Sequence, residues 1–339
     1  GASGRNILMT HPTGIDLGAS TVTGTYGVTA TTGNITDTGN LTITGLTTLV
    51  TSADGGDITL NGTGHTFTGN VKVTTNETGT NADADAWIDG GSSAGLKIEK
   101  GSEVQGDLTL RSGHANTITD EGGSGVVTVD GNLTATTYAN NGSITLNGTG
   151  HTFTGNVKVT TNETGTDADA DAWIDGGSSV GLKIEKGSEV QGDLTLRSGH
   201  ANTITDEGDS GVVTVDGNLT ATTYANNGSI TLDELAVDGT IGLNTHGIGA
   251  ATVVNDAGLN FAASTVGGAL TATATTGNMT QSGALDIEGT TTLVTTAQGA
   301  TIVLGTTTNA FTSQLLITTN DNDSPTDGTY AADVTIDGG

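Results

Sequence analysis

The stretch TDADADAWIDGG at 166–177 sets Asp167, Asp169 and Asp171 at every second position, with Asp175 just beyond. On an extended chain alternate side chains point the same way, so three carboxylates would share one face, a set of hard oxygen ligands suited to Ca2+. The same phrase occurs earlier with Asn81, Asp83 and Asp85, and TNDNDSPTDG at 319–328 offers Asp321 and Asp323. The stretch lacks the sixth-position glycine and closing glutamate of an EF-hand loop, and the glycine-rich nonapeptide of Ca2+-bound β-rolls. We expect a solvated acidic loop, with Ca2+ at Asp167/Asp169/Asp171 and Asp83/Asp85 as the alternative. No cofactor is required, and no catalytic, cofactor-binding or metal residue is assigned.

Other chemistry is thinner. His65 and His151 lie in NGTGHTFTG, His114 and His200 in RSGHANT, and His11 and His246 stand alone. None has metal-ligand spacing to another, and we expect turn or surface histidines. Asp89, Lys97, Lys100 and Arg111 would be the residue types of a polysaccharide-cleaving groove. Lys183, Lys186 and Arg197 duplicate the bases of that set, which would give two equivalent grooves, so we do not expect an enzyme. Trp87 and Trp173, both in AWIDGG, are expected in core or turn packing, with glycan stacking as the alternative. Threonine-rich runs such as TTTLVTT would form ladders of the kind that bind ice, but LKIEKGSEVQ is expected to interrupt any flat threonine face.

Composition excludes several partners. The 339 residues carry a formal charge of −28 with nine lysines and arginines. None of these bases lies beyond Arg197. A surface so poor in cations cannot displace the counterions of a phosphate backbone, so nucleic acid is not expected as a partner. With no cysteine there are neither disulfides nor thiolate metal sites. No apolar run approaches the roughly 18 residues of a membrane span, and GASGRNILMT lacks the layout of a signal peptide. Both ends fall inside patterned sequence, and we read the chain as a fragment of something longer.

The elements that would position these residues follow from a period of two. Ile58 and Leu60 in DITL, Val71 and Val73 in NVKV, Leu96 and Ile98 in LKIEK, Leu108 and Leu110 in DLTLRS alternate with Thr, Lys or Glu. That is the pattern of half-buried strands, with Gly, Asn and Asp at the turns between them. The chain is expected to be all-β. Residues 61–146 and 147–232 are one block written twice, differing only at Asn81/Asp167, Ala94/Val180 and Gly123/Asp209. Residues 1–60 form a partial repeat before them, and 233–339 a partial repeat similar to 20–91. Short strands, glycine-rich turns and a long repeat predict one continuous parallel β-helix solenoid of about 16 coils at ~21 residues each, with tandem β-sandwich repeats as the alternative.

The run TATTGNITDTGNLTITGLTTLV (29–50) and its partner TATATTGNMTQSGALDIEGTTTLV (271–294) resemble the repeats of filamentous-haemagglutinin-type exoproteins, the very large adhesins of Gram-negative bacteria. The likeness covers about residues 20–76 and 264–320. It implies a right-handed helix, secretion, an extracellular or outer-surface location and a stalk or adhesive role, with no catalytic residues to carry over. We expect a non-catalytic stalk or adhesin segment of a secreted or cell-surface fibre. Its partners would be itself, by coil continuation or lateral assembly, and a surface glycan or neighbouring cell. A Ca2+-stabilised glycan- or cell-binding module is the alternative, with a polysaccharide-degrading enzyme and an ice-binding protein behind it.

Overall fold

The structure, a computed structural model, describes residues 3–79, 84–113, 117–122, 125–163, 170–199, 203–207, 211–321 and 332–339. The chain winds as a parallel β-solenoid of about 13 turns. No helix occurs among the described residues. Turns are fewer than the expected 16 because coils are longer than ~21 residues. Hydrogen bonds between neighbouring coils join residues as close as 19 apart, at Asn6 and Thr25, but also 28 apart, at Asp57 and Asp85. The parallel ladders rule out tandem sandwiches, whose sheets are antiparallel.

Two compact units, Gly1–Val180 and Gly181–Gly339, divide the contacts of the chain. In the first, three ladders run through successive coils. One stacks Ile7–His11, Tyr26–Ala30, Thr47–Asp54 and Val71–Asn76. A second stacks Ile15–Leu17, Ile35–Asp37, Ile58–Leu60, Ala86–Asp89, Leu108–Ser112, Leu133–Thr137 and Val157–Thr160. The third stacks Ser20–Val22, Leu41–Ile43 and Thr66–Phe67. Val71–Asn76 then pairs with both Leu96–Ile98 and Ser102–Val104 of the next coil; the former leads through Ile118–Asp120 and Ile144–Leu146 to Ala172–Asp175, the latter through Val127–Val129 to Thr152–Phe153. The second unit repeats the plan, for example in Ala251–Asn255, Leu270–Ala274, Thr291–Gln298 and Leu315–Asn320.

Alternation in the sequence becomes inside and outside. Leu108, Leu133 and Val157 stack inward one coil apart, as do Leu110, Ala135 and Val159, all essentially buried. Thr109, Thr134 and Lys158 stack outward between them. The narrow interior needs few large side chains, which accounts for a chain that is only 33% hydrophobic.

Two corner devices explain the punctuation. Buried Thr51, Thr137, Thr223 and Thr295 each donate a hydroxyl hydrogen bond to a carbonyl five residues on, at Gly56, Gly142, Gly228 and Ala300. The residue just before that carbonyl is left-handed in each case: Gly55, Asn141, Asn227 and Gly299, with φ of 64°, 59°, 65° and 69°. Only Gly and Asn adopt that conformation cheaply. At another corner, a run of Asn and Asp residues, each preceding an inward apolar residue, accepts the backbone N–H of the next coil. Asn34 Oδ1 takes Asp57 N at 3.0 Å, Asp57 takes Asp85 at 3.1 Å, and Asp85 takes Asp107 at 2.7 Å. Asp107 then takes Asn132 at 2.6 Å, and Asn132 takes Asn156 at 2.9 Å. The backbone donors of a tight corner are satisfied this way without a strand.

The duplicated block does not fit a whole number of coils. Ten strands are described in 61–146, from Thr66–Phe67 to Ile144–Leu146, and three make a coil. The second copy therefore starts one face further round. Ala86–Asp89 lies on the ladder of Ile58–Leu60, whereas its counterpart Ala172–Asp175 lies on that of Ile118–Asp120 and Ile144–Leu146.

Candidate functional site

The outward position that departs most from threonine and lysine is Trp87. It sits on Ala86–Asp89 between Thr59 of the preceding coil and Thr109 of the following one, 39% exposed. Asp57, Asp85 and Asp107 run beside it in the corner ladder, and together these residues line an open hollow of about 220 Å3. Trp173 is likewise outward at 38%, against Thr145. Both indoles thus correct the expectation of core packing: inward places on these strands go to Ala86, Ile88, Ala172 and Ile174, which fill the interior. Because the copies are one face out of phase, Trp87 and Trp173 belong to different ladders of the first unit.

The histidines of the duplicated phrase are also corrected. His65 and His151 lie at turns, as their glycines require, but their rings are fully buried. Nδ1 of His65 accepts Leu41 N at 3.0 Å, and Nδ1 of His151 accepts Val127 N at 3.1 Å. That leaves the proton on Nε2, facing Asp37 Oδ2 at 3.3 Å and Asp120 Oδ2 at 2.7 Å respectively. Asp120 is held further by Gly148 N at 2.7 Å and Gly122 N at 3.1 Å. Burial raises the Asp120 carboxyl, but the bonds from His151, Gly148 and Gly122 outweigh it and leave the pKa below the usual carboxylate range. Burial pushes the His65 pKa down, against the opposing charge of Asp37. Near the C-terminus the same pair is written in amides. Asn309 Oδ1 accepts Leu285 N at 3.0 Å, and its Nδ2 donates to Gln281 Oε1 at 2.9 Å. An Asp–His pair and a Gln–Asn pair thus do one job, plugging the coil interior and satisfying the N–H of the preceding coil.

Asp89 is a third buried group. Its Oδ1 accepts Gly91 N at 2.8 Å and the Tyr138 hydroxyl at 2.9 Å. Arg111 approaches its Oδ2 to 3.7 Å and lies 4.9 Å over the Tyr138 ring. Burial, then the bond to Asp89 and its charge, push the Tyr138 pKa up to about 12, with Arg111 opposing. Gly113 makes room for the ring: a Cβ there would come within 2.3 Å of it. In the second unit Arg197 stacks on Tyr224 at 4.9 Å over Gly199 in the same way. Asp175 repeats the turn bond, to Gly177 N at 2.8 Å.

Asp89 and Arg111 share a ladder, but Lys97 and Lys100 do not join them. Lys97 is exposed on the neighbouring face, and Lys100 pairs with Glu121 at 3.5 Å. In the second unit Lys183 is exposed and Lys186 pairs with Glu234 at 3.2 Å. Of the acidic phrases, Asn81, Asp83, Asp167, Asp169 and Asp323 lie outside the described residues, as do His114 and His200. Asp85 accepts Asp107 N in the corner ladder, and Asp321 is exposed. Among the described residues no group of three or more potential ligands converges. His11 and His246 are exposed. Lys183 of LKIEKGSEVQ breaks the threonine face as expected; beyond it the second unit stacks Thr205, Thr231, Thr252, Thr271 and Thr292 in one outward column. Sequence reasoning missed the corner ladder and the Asp–His plugs. The signal for the first was there, an Asn or Asp directly before the first inward residue at Ile35, Ile58, Ala86, Leu108 and Leu133.

No curated protein and no solved structure matches the chain. A family described as Repeats of unknown function (DUF5649) matches residues 4–74, 90–160 and 248–318, more than half of the sequence. Each matched segment contains one copy of the buried plug residue, His65, His151 or Asn309. The chain therefore belongs to this family of repeats of unknown function, here wound into a parallel β-solenoid.

Proposed function

We propose that the chain is a non-catalytic stalk segment of a very large fibre, secreted or held at a bacterial surface, of the filamentous-haemagglutinin type. The observation that carries this reading is the accommodation of the duplicated block. A copy that advances the winding by a fraction of a coil moves every repeated outward group to another face, yet in the first unit the ladders pass from 61–146 into the second copy on unchanged backbone pairing. Selection for a repeated surface would favour a whole number of coils; selection for reach tolerates any number. Each coil needs only its neighbours, so length grows by duplication.

The test is a series of chains with one, two and three copies of the block. Ten strands at three per coil and ~4.8 Å per coil add about 16 Å per copy. Small-angle scattering should show the longest dimension growing by that step with cross-section unchanged. Constant length with growing cross-section would refute the stalk reading.

A further inference from the structure

We propose that the hollow at Trp87 is a binding site for a neutral glycan, taking one pyranose ring at a time; this goes beyond the stalk role, which needs no ligand. An indole exposed on a strand offers a flat apolar face to the C–H face of a sugar. The flanking Thr59 and Thr109 are short, so nothing in the register above or below Trp87 overhangs that face. The hydroxyls at a sugar's rim need acceptors, and Asp57, Asp85 and Asp107 line the same hollow. These acceptors are fixed before any ligand arrives, because each carboxylate already holds the N–H of the next coil, at Asp85, Asp107 and Asn132. Such preorganisation removes an ordering cost that flexible side chains would impose on binding.

The size and sign of the site narrow the ligand. At about 220 Å3 the hollow is smaller than the ~300–1,000 Å3 of drug-sized pockets and matches a single ring. A chain of net charge −28, with three carboxylates at this spot, repels uronates, sulfates and sialic acids. The second indole is an internal comparison: Trp173 is equally outward, but the coil before it carries Ser143 where the coil before Trp87 carries Asp57. Trp87 is the stronger site of the two, and the two indoles, on different ladders, bind independently.

The chain has only two tryptophans, so Trp173→Phe leaves Trp87 as the sole indole reporter. This variant of the full chain is titrated with neutral β-linked and α-linked oligosaccharides, and with oligogalacturonate as the anionic control. At least one neutral ligand is expected to shift the emission saturably with a Kd on the order of 1 mM, about −4 kcal/mol. In the wild-type chain, calorimetry should lose the Trp87 contribution in Trp87→Ala. Asp85→Asn with Asp107→Asn should weaken binding about fivefold by removing charge-assisted acceptors. These asparagines keep the fold, because Asn34 and Asn132 fill the same ladder position, and an unchanged circular dichroism melt verifies it. No saturable response to any neutral sugar, an equal response to oligogalacturonate, or full affinity in the Asp85/Asp107 variant would each overturn the proposal. The stalk reading survives those failures, since its test is length.

Discussion

Replacing the plug of one repeat by that of another tests the reading of the interior directly. In the first unit His151, a long ring, meets Asp120, a short acid, at 2.7 Å; near the C-terminus Asn309, a short amide, meets Gln281, a long one, at 2.9 Å. Reach is conserved as a sum. His151→Asn alone sets a short side chain against a short one. Its amide oxygen can still take Val127 N, as Asn309 takes Leu285 N, but Asp120 loses a bond to a charged acceptor worth about 1.5–3 kcal/mol. The void left by the ring adds to this, for a total of about 3 kcal/mol. Asp120→Gln alone sets long against long and overpacks the coil by about 1–3 kcal/mol. The double variant recreates the Gln–Asn pair and should cost under about 1 kcal/mol, a coupling of about 3 kcal/mol or more. Urea unfolding of the four chains, followed by far-ultraviolet circular dichroism, measures it. Costs that simply add, to within about 0.5 kcal/mol, would refute the plug argument.

Acid should weaken the coils. His65, its pKa depressed by burial, takes up a proton more readily unfolded than folded, so its contribution fades as pH falls below about 6.5. Asp120, also depressed, adds a further loss once pH drops below about 3.8 and on through its folded value. Asp206, raised by burial, works in the opposite sense and favours the folded state at low pH, offsetting part of that loss. Asp37→Gln with His65→Asn should flatten the melting-temperature profile between pH 7 and 5, and an unchanged slope would discount His65. Gly113→Val should drive a side chain into the Tyr138 ring and lower stability by about 1–3 kcal/mol, whereas Gly122→Ala, with no neighbour within 4 Å but φ of +73°, should cost about 1 kcal/mol through backbone strain alone. For the Ca2+ alternative, a melting midpoint that rises with millimolar Ca2+ and falls with EGTA would favour ligation by the acidic phrases; the stalk reading expects neither.

Much of this protein was legible in its letters because a strand's burial is a local matter. Period-two alternation marks Leu108 and Leu110 as inward and Thr109 as outward whatever lies above them, and glycine or asparagine at Gly55 and Asn141 marks a left-handed corner from the backbone's own sterics. Repetition likewise marks a solenoid, since an exact copy can be added only where each unit leans on its neighbour. What the letters could not fix was everything set by the number of strands per turn. The one-face shift between copies, and so the separation of Trp87 from Trp173, depends on ten strands meeting a coil of three. The fate of His65, a turn residue in a polar phrase, was decided by the Leu41 N–H and Asp37 of the preceding coil, which are 24 and 28 positions away along the chain and in contact only after winding. Local sterics write the strand and the corner; the pitch of the winding decides which side chains meet.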